Sequence, residues 1–242
     1  MLIGSGSHDV AHKTDQKSIY NLILHTFQIL INPTRMKASF PSEPPFSVDL
    51  IENSLKLKWF LQTMHELGVS LRPPTFLSIK RYLDCWLPLV KKHPDLPLIP
   101  PADVAWLWHC HRLAPKHYEE YVVGRFNMLL DTTTPFALQY AEAETYSQDS
   151  LMTQELWQTE FPNELFFDDN EAGKIPDPEL PVCLLAGFDL SGSSKRQAGF
   201  LWQVSTSSFE DIEFLEQGVI NYWKFLLLKP RAQQQGKILV PT

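Results

Sequence analysis

Basic residues are scarce in this chain of 242 residues, and no segment concentrates them. Its 21 lysines and arginines are outnumbered by 28 aspartates and glutamates, which leaves a net charge of −7. An acidic chain of this kind lacks the positive surface that follows the phosphates of a nucleic acid. We therefore expect no nucleic-acid partner.

Cysteines and long apolar runs are also few. Cys85, Cys110 and Cys183 are odd in number and have no paired spacing, so free thiols in a reducing compartment are the simplest account. The N-terminus has no apolar core behind a basic patch, unlike a signal peptide. The longest apolar runs are too short to cross a bilayer. The sequence predicts a cytoplasmic protein without a membrane partner.

Glycine is sparse as well, at 10 residues, and the glycine-dependent motifs of nucleotide enzymes are missing. The chain contains no P-loop, no dinucleotide-binding fingerprint and no nucleophile elbow. We expect no nucleotide and, more broadly, no cofactor.

What the chain does contain is apolar and aromatic bulk. Hydrophobic residues make up 44% of the sequence, charged residues 20% and aromatic residues 12%, with seven tryptophans. This composition is that of a globular protein. It supplies enough large side chains for a dense core and for an apolar pocket.

Helical spacing predicts an all-α fold, an irregular helical domain with long proline-rich loops. We divide the chain into a flexible tail (1–13), a helical domain (14–162) and a second helical half (163–242) packed on the first. No alternating strand pattern stands out. Helices are predicted over about 14–30, 47–67, 73–94, 102–113, 115–126, 136–161, 182–204 and 209–228.

The segment 73–94 has the clearest amphipathic pattern, and Pro88 is predicted to kink its last turn. The second helical half partly repeats 73–101: both copies have an aromatic-bearing helix, a basic and polar spacer and an "L-I/V-P" ending. The first copy continues into a histidine segment, and the second reaches the end of the chain. The predicted apolar stripe of 73–94 consists of Phe76, Ile79, Leu83, Trp86 and Val90.

Three segments occur in the order "VAWLWHCHRLAPKHYEEY", "LWQTEFPNELFF" and "FDLSGSSKRQAGFLWQVS". Their order resembles that of landmarks in the glycine-rich-domain-containing proteins of plants and fungi. The resemblance covers roughly 45–242. In that family a second tryptophan–histidine–x–histidine segment, and often a glycine-rich tail, follows the position where this chain ends. The resemblance implies an N-terminal domain without an assigned biochemical activity, and hence a regulatory or interaction module.

The first of these segments holds His109 and His111, two residues apart. Each residue of a helix turns by about 100°, so the two rings diverge by about 200° and cannot jointly bind a metal from a regular helix. An unwound helix end would permit chelation. A third ligand would then come from His65, His93 or His117.

Three interpretations of the histidine segment remain open. In the first, one histidine is buried against a backbone carbonyl and the other pairs with a carboxylate or faces solvent. In the second, a metal binds His109 or His111. In the third, one of them is a catalytic donor or general acid/base in an aromatic pocket. A thiol nucleophile at Cys110 would need a histidine from elsewhere in the fold. The residues predicted to line the pocket are Trp106, Trp108, Cys110, Tyr118, Gln197 and Gln203.

The function hypotheses follow these interpretations. The first is a cofactor-free enzyme or binding protein of specialised metabolism, of the cyclase or cycloaddition type. Its partner would be an apolar small molecule such as a terpenoid or polyketide. The alternative is the non-enzymatic interaction module of the family, with a protein partner. A second alternative is a metal-dependent hydrolase or oxygenase that uses His109 and His111.

Overall fold

The computed structural model describes residues 46–130, 143–167 and 183–236. The predicted tail and the helix predicted over 14–30 lie outside these ranges. Within them the chain is helical apart from one small hairpin, which confirms the all-α fold. The helices are α1 (Leu50–Glu66), α2 (Phe76–Lys80), a π-helical segment (Arg81–Trp86), α3 (Leu87–Lys92), α4 (Ala102–Arg112), α5 (Pro115–Phe126), α6 (Ala143–Glu160), α7 (Leu190–Gln197), α8 (Phe200–Val204), a 3₁₀ helix (Ser207–Glu210) and α9 (Ile212–Gln234).

Helix α1 begins where its sequence provides a cap. The Asp49 side chain accepts hydrogen bonds from the backbone N–H groups of Ile51 and Glu52, which satisfies donors that the first helical turn leaves free. The helix ends just before Gly68, whose φ of 72° is a conformation that glycine adopts without a steric penalty. Its inward face buries Phe60, Leu61 and Met64, among others.

The predicted amphipathic helix 73–94 forms, but with a π-helical segment in its middle. Thr75 and Ser78 close a capping box at its start. Before Pro88, the N–H of Leu87 bonds to the carbonyl of Tyr82 five residues back, so the wider turn precedes the proline. In place of the predicted kink in the last turn, a π-helical segment lies one turn earlier, immediately before Leu87 and Pro88.

The predicted stripe of this helix is only partly buried. Ile79, Trp86 and Val90 lie in the core, whereas Phe76 is 69% exposed and Leu83 is partly exposed. The stripe was drawn for a uniform turn of about 100° per residue. Leu83 lies within the π-helical segment, where the turn per residue is smaller, and Phe76 is the first residue of α2. These two leave the stripe, while Ile79 and Val90 on either side of the segment remain in the core.

The helix predicted over 182–204 is wrong in its first part. Residues Leu184–Leu185 (β1) and Phe188–Asp189 (β2) form an antiparallel hairpin. The turn between them places Ala186 at φ 48° and Gly187 at φ 82°, the two positive values that a tight two-residue hairpin turn requires. Helix α7 begins only after the hairpin, where the Asp189 side chain caps the N–H of Gly192.

Helix α4 lies at the centre of the described fold. It packs against α2, the π-helical segment, α5 and α7, while α1 packs against α8 and α9. These contacts join segments on both sides of the predicted boundary at 162/163. The division into 14–162 and 163–242 remains a prediction. In the repeat, α9 continues through Pro230 and the polar spacer, and its "L-V-P" ending lies outside the described residues.

Candidate functional site

The histidine segment is the most deeply buried helix of the described fold. Every residue of α4 from Val104 to His111 is buried, whichever way its side chain points. A helix that is buried on all sides is part of a core rather than the wall of an open cleft. His109 exposes 8% of its surface and His111 none. Neither histidine faces solvent, so that branch of the first interpretation is wrong.

His109 faces α1 and α7. Its ring lies 5.0 Å from the ring of Phe60 and 5.9 Å from that of Trp106, between centroids. Its Nε2 is 3.5 Å from Nε2 of Gln197, at the outer limit of a hydrogen bond. Burial, together with the positive charge of Arg112, lowers the pKa of His109 to about 4. The ring is neutral near pH 7.

Trp106 and Cys110 share a partner on α7. The indole N–H of Trp106 donates to Oγ of Ser194 over 2.8 Å. Burial raises the pKa of the Cys110 thiol, although a hydrogen bond with Ser194 opposes that effect. Cys110 therefore remains a thiol at neutral pH, and a thiol nucleophile at this position gains no support.

His111 points to the other side of α4. Its Nδ1 forms a hydrogen bond of 2.8 Å with the phenol Oη of Tyr82. Its ring is stacked on Phe188 of the hairpin at 5.7 Å, and the rings of Tyr118 and Tyr121 lie 5.0 and 5.5 Å away. The other nitrogen, Nε2, is buried without a hydrogen-bond partner in the described part of the chain.

The electrostatics of this aromatic cluster also favour uncharged groups. Burial lowers the pKa of His111 to about 4, and the nearby His117 adds to the effect. Burial raises the pKa of Tyr82 well above its usual value, so its phenol keeps its proton. The hydrogen bond of His111 is thus to a phenol and not to the backbone carbonyl that one interpretation assumed.

Trp108 completes the core on this side. Its indole N–H donates to Oη of Tyr118 over 2.9 Å, and that hydroxyl donates to the carbonyl of Leu130 over 2.6 Å. The indole is also edge-on to Trp86, with 5.2 Å between ring centroids. The Arg112 guanidinium lies 5.2 Å from the same indole. Both tryptophans of the motif, Trp106 and Trp108, are therefore buried.

Two of the histidines predicted as a possible third metal ligand, His117 and His65, make contacts in different parts of the fold. His117 donates from Nδ1 to the carbonyl of Ala186 in the hairpin turn, over 3.0 Å. His65 lies edge-on to Trp202 at 5.2 Å. Within 46–130, 143–167 and 183–236, no group of three or more histidine, cysteine, aspartate or glutamate side chains is arranged to hold a metal.

The two glutamines that were predicted to line the pocket, Gln197 and Gln203, lie in different environments. Gln197 on α7 reaches His109, whereas Gln203 on α8 is exposed and takes no part in the contacts of α4. The predicted pocket residues do not form one set. Trp106, Cys110 and Gln197 lie with His109; Trp108 and Tyr118 lie on the side of His111.

Sequence reasoning missed several partners of α4. Tyr82, Ser194 and Phe188 provide its hydrogen bonds and stacking. Phe188 and Ser194 lie in the third landmark segment, but nothing in the local sequence assigns them to α4. It also missed an ion pair at the start of α4, where Asp103 lies 2.8 Å from the buried guanidinium of Arg81. A carboxylate in the first turn of a helix is favourable in itself, but its distant partner leaves no sequence signal.

The fold and the contacts of α4 define a class: an all-helical domain organised around a buried aromatic and histidine-bearing helix. The family model described as "Glycine-rich domain-containing protein-like" matches residues 117–242. The chain belongs to the glycine-rich-domain-containing protein family.

Two Arabidopsis thaliana proteins are similar over most of the chain. Glycine-rich domain-containing protein 1 is 30% identical over 208 residues, and protein 2 is 31% identical over 209 residues. Each match covers 81% of this chain and 25% of the relative. The chain thus spans about a quarter of the length of these relatives. No solved structure matches the chain. In the residues described, no helix is long and apolar enough to cross a membrane.

Proposed function

We propose that this domain is a non-enzymatic interaction module. The proposal rests on one observation: polar groups of the histidine segment form hydrogen bonds to other residues of the same domain. Both indole N–H groups of α4 bond to side chains of the same domain, and His111 bonds to Tyr82. A motif most of whose hydrogen-bonding groups are engaged inside the core builds the domain and leaves binding to its surface.

The protonation states of the histidines support the same conclusion. A general acid or base works best with a pKa near the operating pH, and it must reach the proton that it transfers. Both rings have a pKa of about 4 and lie in the core. The hypotheses of a cyclase-type enzyme of specialised metabolism and of a metal-dependent enzyme gain no support from this geometry or from the relatives.

Helix α8 carries an exposed residue, Trp202, that could anchor a protein partner. Trp202 is 65% exposed, and its ring is held edge-on against His65 of α1. Tryptophan is enriched among the residues that dominate the energetics of protein interfaces, because it buries a large rigid surface. The partner we propose is a protein that receives this indole in an apolar pocket. The match covers only 25% of each of the two Arabidopsis relatives, so such a module would act beside other regions.

The test starts with proximity labelling in the cells that produce the protein, followed by binding measurements between the purified chain and the partner so identified. Trp202→Ser should weaken that binding at least about tenfold, as expected for an interface anchor. Gln203→Ser is the matched control, since it is the exposed neighbour on the same helix and should change affinity less than about twofold. Equal affinities for the two variants would contradict the anchor.

The enzyme alternative is tested in parallel. Metabolite profiles of cells carrying His109→Gln are compared with those of wild-type cells and of cells lacking the protein. A compound that accumulates in both altered strains, while the variant keeps its fold and its protein partner, would contradict the proposal. An unchanged profile in the variant strain is the expected result.

A further inference from the structure

The connection between α8 and α9 exposes two serine hydroxyls. Ser207 and Ser208 open the short 3₁₀ helix, and both residues are exposed. Neither hydroxyl has a hydrogen-bond partner in the described ranges, whereas the neighbouring Ser205 donates to the carbonyl of Leu201 over 2.6 Å. The two hydroxyls are therefore accessible to a modifying enzyme without breaking an internal contact.

An acidic residue follows each of these serines at the third position. Glu210 stands three residues after Ser207, and Asp211 three residues after Ser208. Elsewhere in the whole sequence this spacing occurs once, at Thr63 before Glu66. The Thr63 hydroxyl donates to the carbonyl of Trp59 within α1 and is not free. A carboxylate three residues after the acceptor hydroxyl is the feature that acidophilic protein kinases recognise.

A buried lysine lies on the same side of the 3₁₀ helix as Ser207. Nζ of Lys58, on α1, is 2.8 Å from Oε1 of Glu210. The Lys58 side chain is 9% exposed, whereas that of Glu210 is 70% exposed. In a 3₁₀ helix the side chains at positions i and i+3 are eclipsed, so Ser207 stands directly over Glu210. Ser208 lies about a third of a turn away from that side.

We propose that Ser207 is a phosphorylation site for an acidophilic protein kinase, and that its phosphate takes Lys58 from Glu210. In the reaction, Oγ of Ser207 bonds to the γ-phosphorus of ATP, and the bond from that phosphorus to the β–γ bridging oxygen breaks. ADP leaves, and the hydroxyl proton passes to the base of the kinase. The site does not depend on the interaction function proposed above.

The phosphate is a better partner for the buried ammonium than the carboxylate it displaces. It carries about −1.5 to −2 charges near pH 7 and has three strong acceptor oxygens. Glu210 offers a single negative charge, so the Coulomb attraction of the Lys58 ammonium to the phosphate is the larger one. Phosphorylation then attaches α1 more firmly to the connection before α9 and releases Glu210 to solvent.

The first experiment asks whether Ser207 is modified. The full chain is incubated with magnesium ATP and the catalytic subunit of casein kinase 2, an acidophilic kinase, and the modified residues are mapped by mass spectrometry. We expect phosphate on Ser207, a loss of at least about tenfold in Ser207→Ala, and little change in the matched control Ser208→Ala. Phosphate on Ser208 alone, or on neither serine while an acidic reporter peptide is phosphorylated, overturns the site.

The second experiment asks whether Lys58 holds the phosphate. Phosphorus NMR follows the second pKa of the phosphoserine, which is about 6 without a partner. It should be lower in the folded protein than in the same protein unfolded in urea, and Lys58→Met should remove most of the difference. Lys56→Met is the matched control, because Lys56 is on the same helix and pairs with Glu52 instead. A folded-state value equal to or above the unfolded one overturns the role of Lys58, even if Lys58→Met fails to fold.

Discussion

Acidification should destabilise this domain between pH 6.5 and about 4, because two buried histidines resist protonation over that range. His109 and His111 each have a folded-state pKa of about 4, against 6.5 for an ordinary histidine. At about 1.36 kcal/mol for each pH unit, that gap corresponds to roughly 3 kcal/mol per histidine. For both rings the loss approaches the whole free energy of unfolding of a typical domain, about 5–15 kcal/mol.

The direction of the effect follows from which state binds the protons. Between pH 6.5 and about 4 the histidines of the unfolded chain are protonated, while the buried rings of the folded chain remain neutral. The unfolded chain therefore binds more protons, and acid favours it. The stability contributed by these two residues is fully present above pH 6.5 and is lost as the pH falls towards 4.

Urea unfolding followed by tryptophan fluorescence measures this loss. Across the window the free energy of unfolding should fall by up to about 2.7 kcal/mol per pH unit, the value for two protons. His111→Phe keeps a ring beside Phe188 and removes one proton site, so it should show about half that slope. His65→Asn is the control, because the His65 ring is partly exposed. A wild-type stability that is flat between about pH 6.5 and 4.5, or an unchanged slope in His111→Phe, would refute the reasoning.

Three further predictions concern stability. Trp106→Ala and Trp108→Ala should each lower the free energy of unfolding by about 3–5 kcal/mol in urea, since both indoles are buried and bonded; a loss under about 1 kcal/mol for both would contradict their role in the core. Asp103→Ala should cost about 3 kcal/mol or more in the same assay, because it leaves the buried Arg81 guanidinium without its carboxylate, and an unchanged midpoint would argue against a buried pair. Gly187→Ala should cost about 1–2 kcal/mol because of its positive φ, although a β-carbon there would meet no neighbour; a neutral result would show that the hairpin turn adopts another conformation.

Most helices could be predicted from the sequence because their signals are local. The predicted boundaries depend on residues within one turn of them. They are the end of α1 before Gly68, the proline-delimited starts of α4 and α5, and the end of α6 before Pro162. Two features were mispredicted because the local sequence fits an ordinary α-helix as well as it fits the observed structure. The hairpin 184–189 has helix-compatible residues around a turn, and the π-helical segment has the apolar spacing of an ordinary helix.

The candidate site was predicted only as a list of residues on one helix. Helical geometry alone indicates that His109 and His111 point in different directions, and their separate contacts agree with that divergence. It does not indicate what each ring meets. Ser194, the partner of Trp106, lies 88 positions away in sequence, and Tyr82, the partner of His111, lies 29 positions away.

The sequence by itself determined the helical class, the family and the concentration of aromatic and histidine residues in one short segment. These properties follow from composition, from turn residues and from spacing along the chain, which act over a few residues. Only the tertiary structure decided that this segment is buried on every side, that both histidines are held neutral, and that Lys58 lies beside the 3₁₀ helix of Ser207. Burial and electrostatic environment are set by neighbours distant in the chain, so they exist only once the helices have packed.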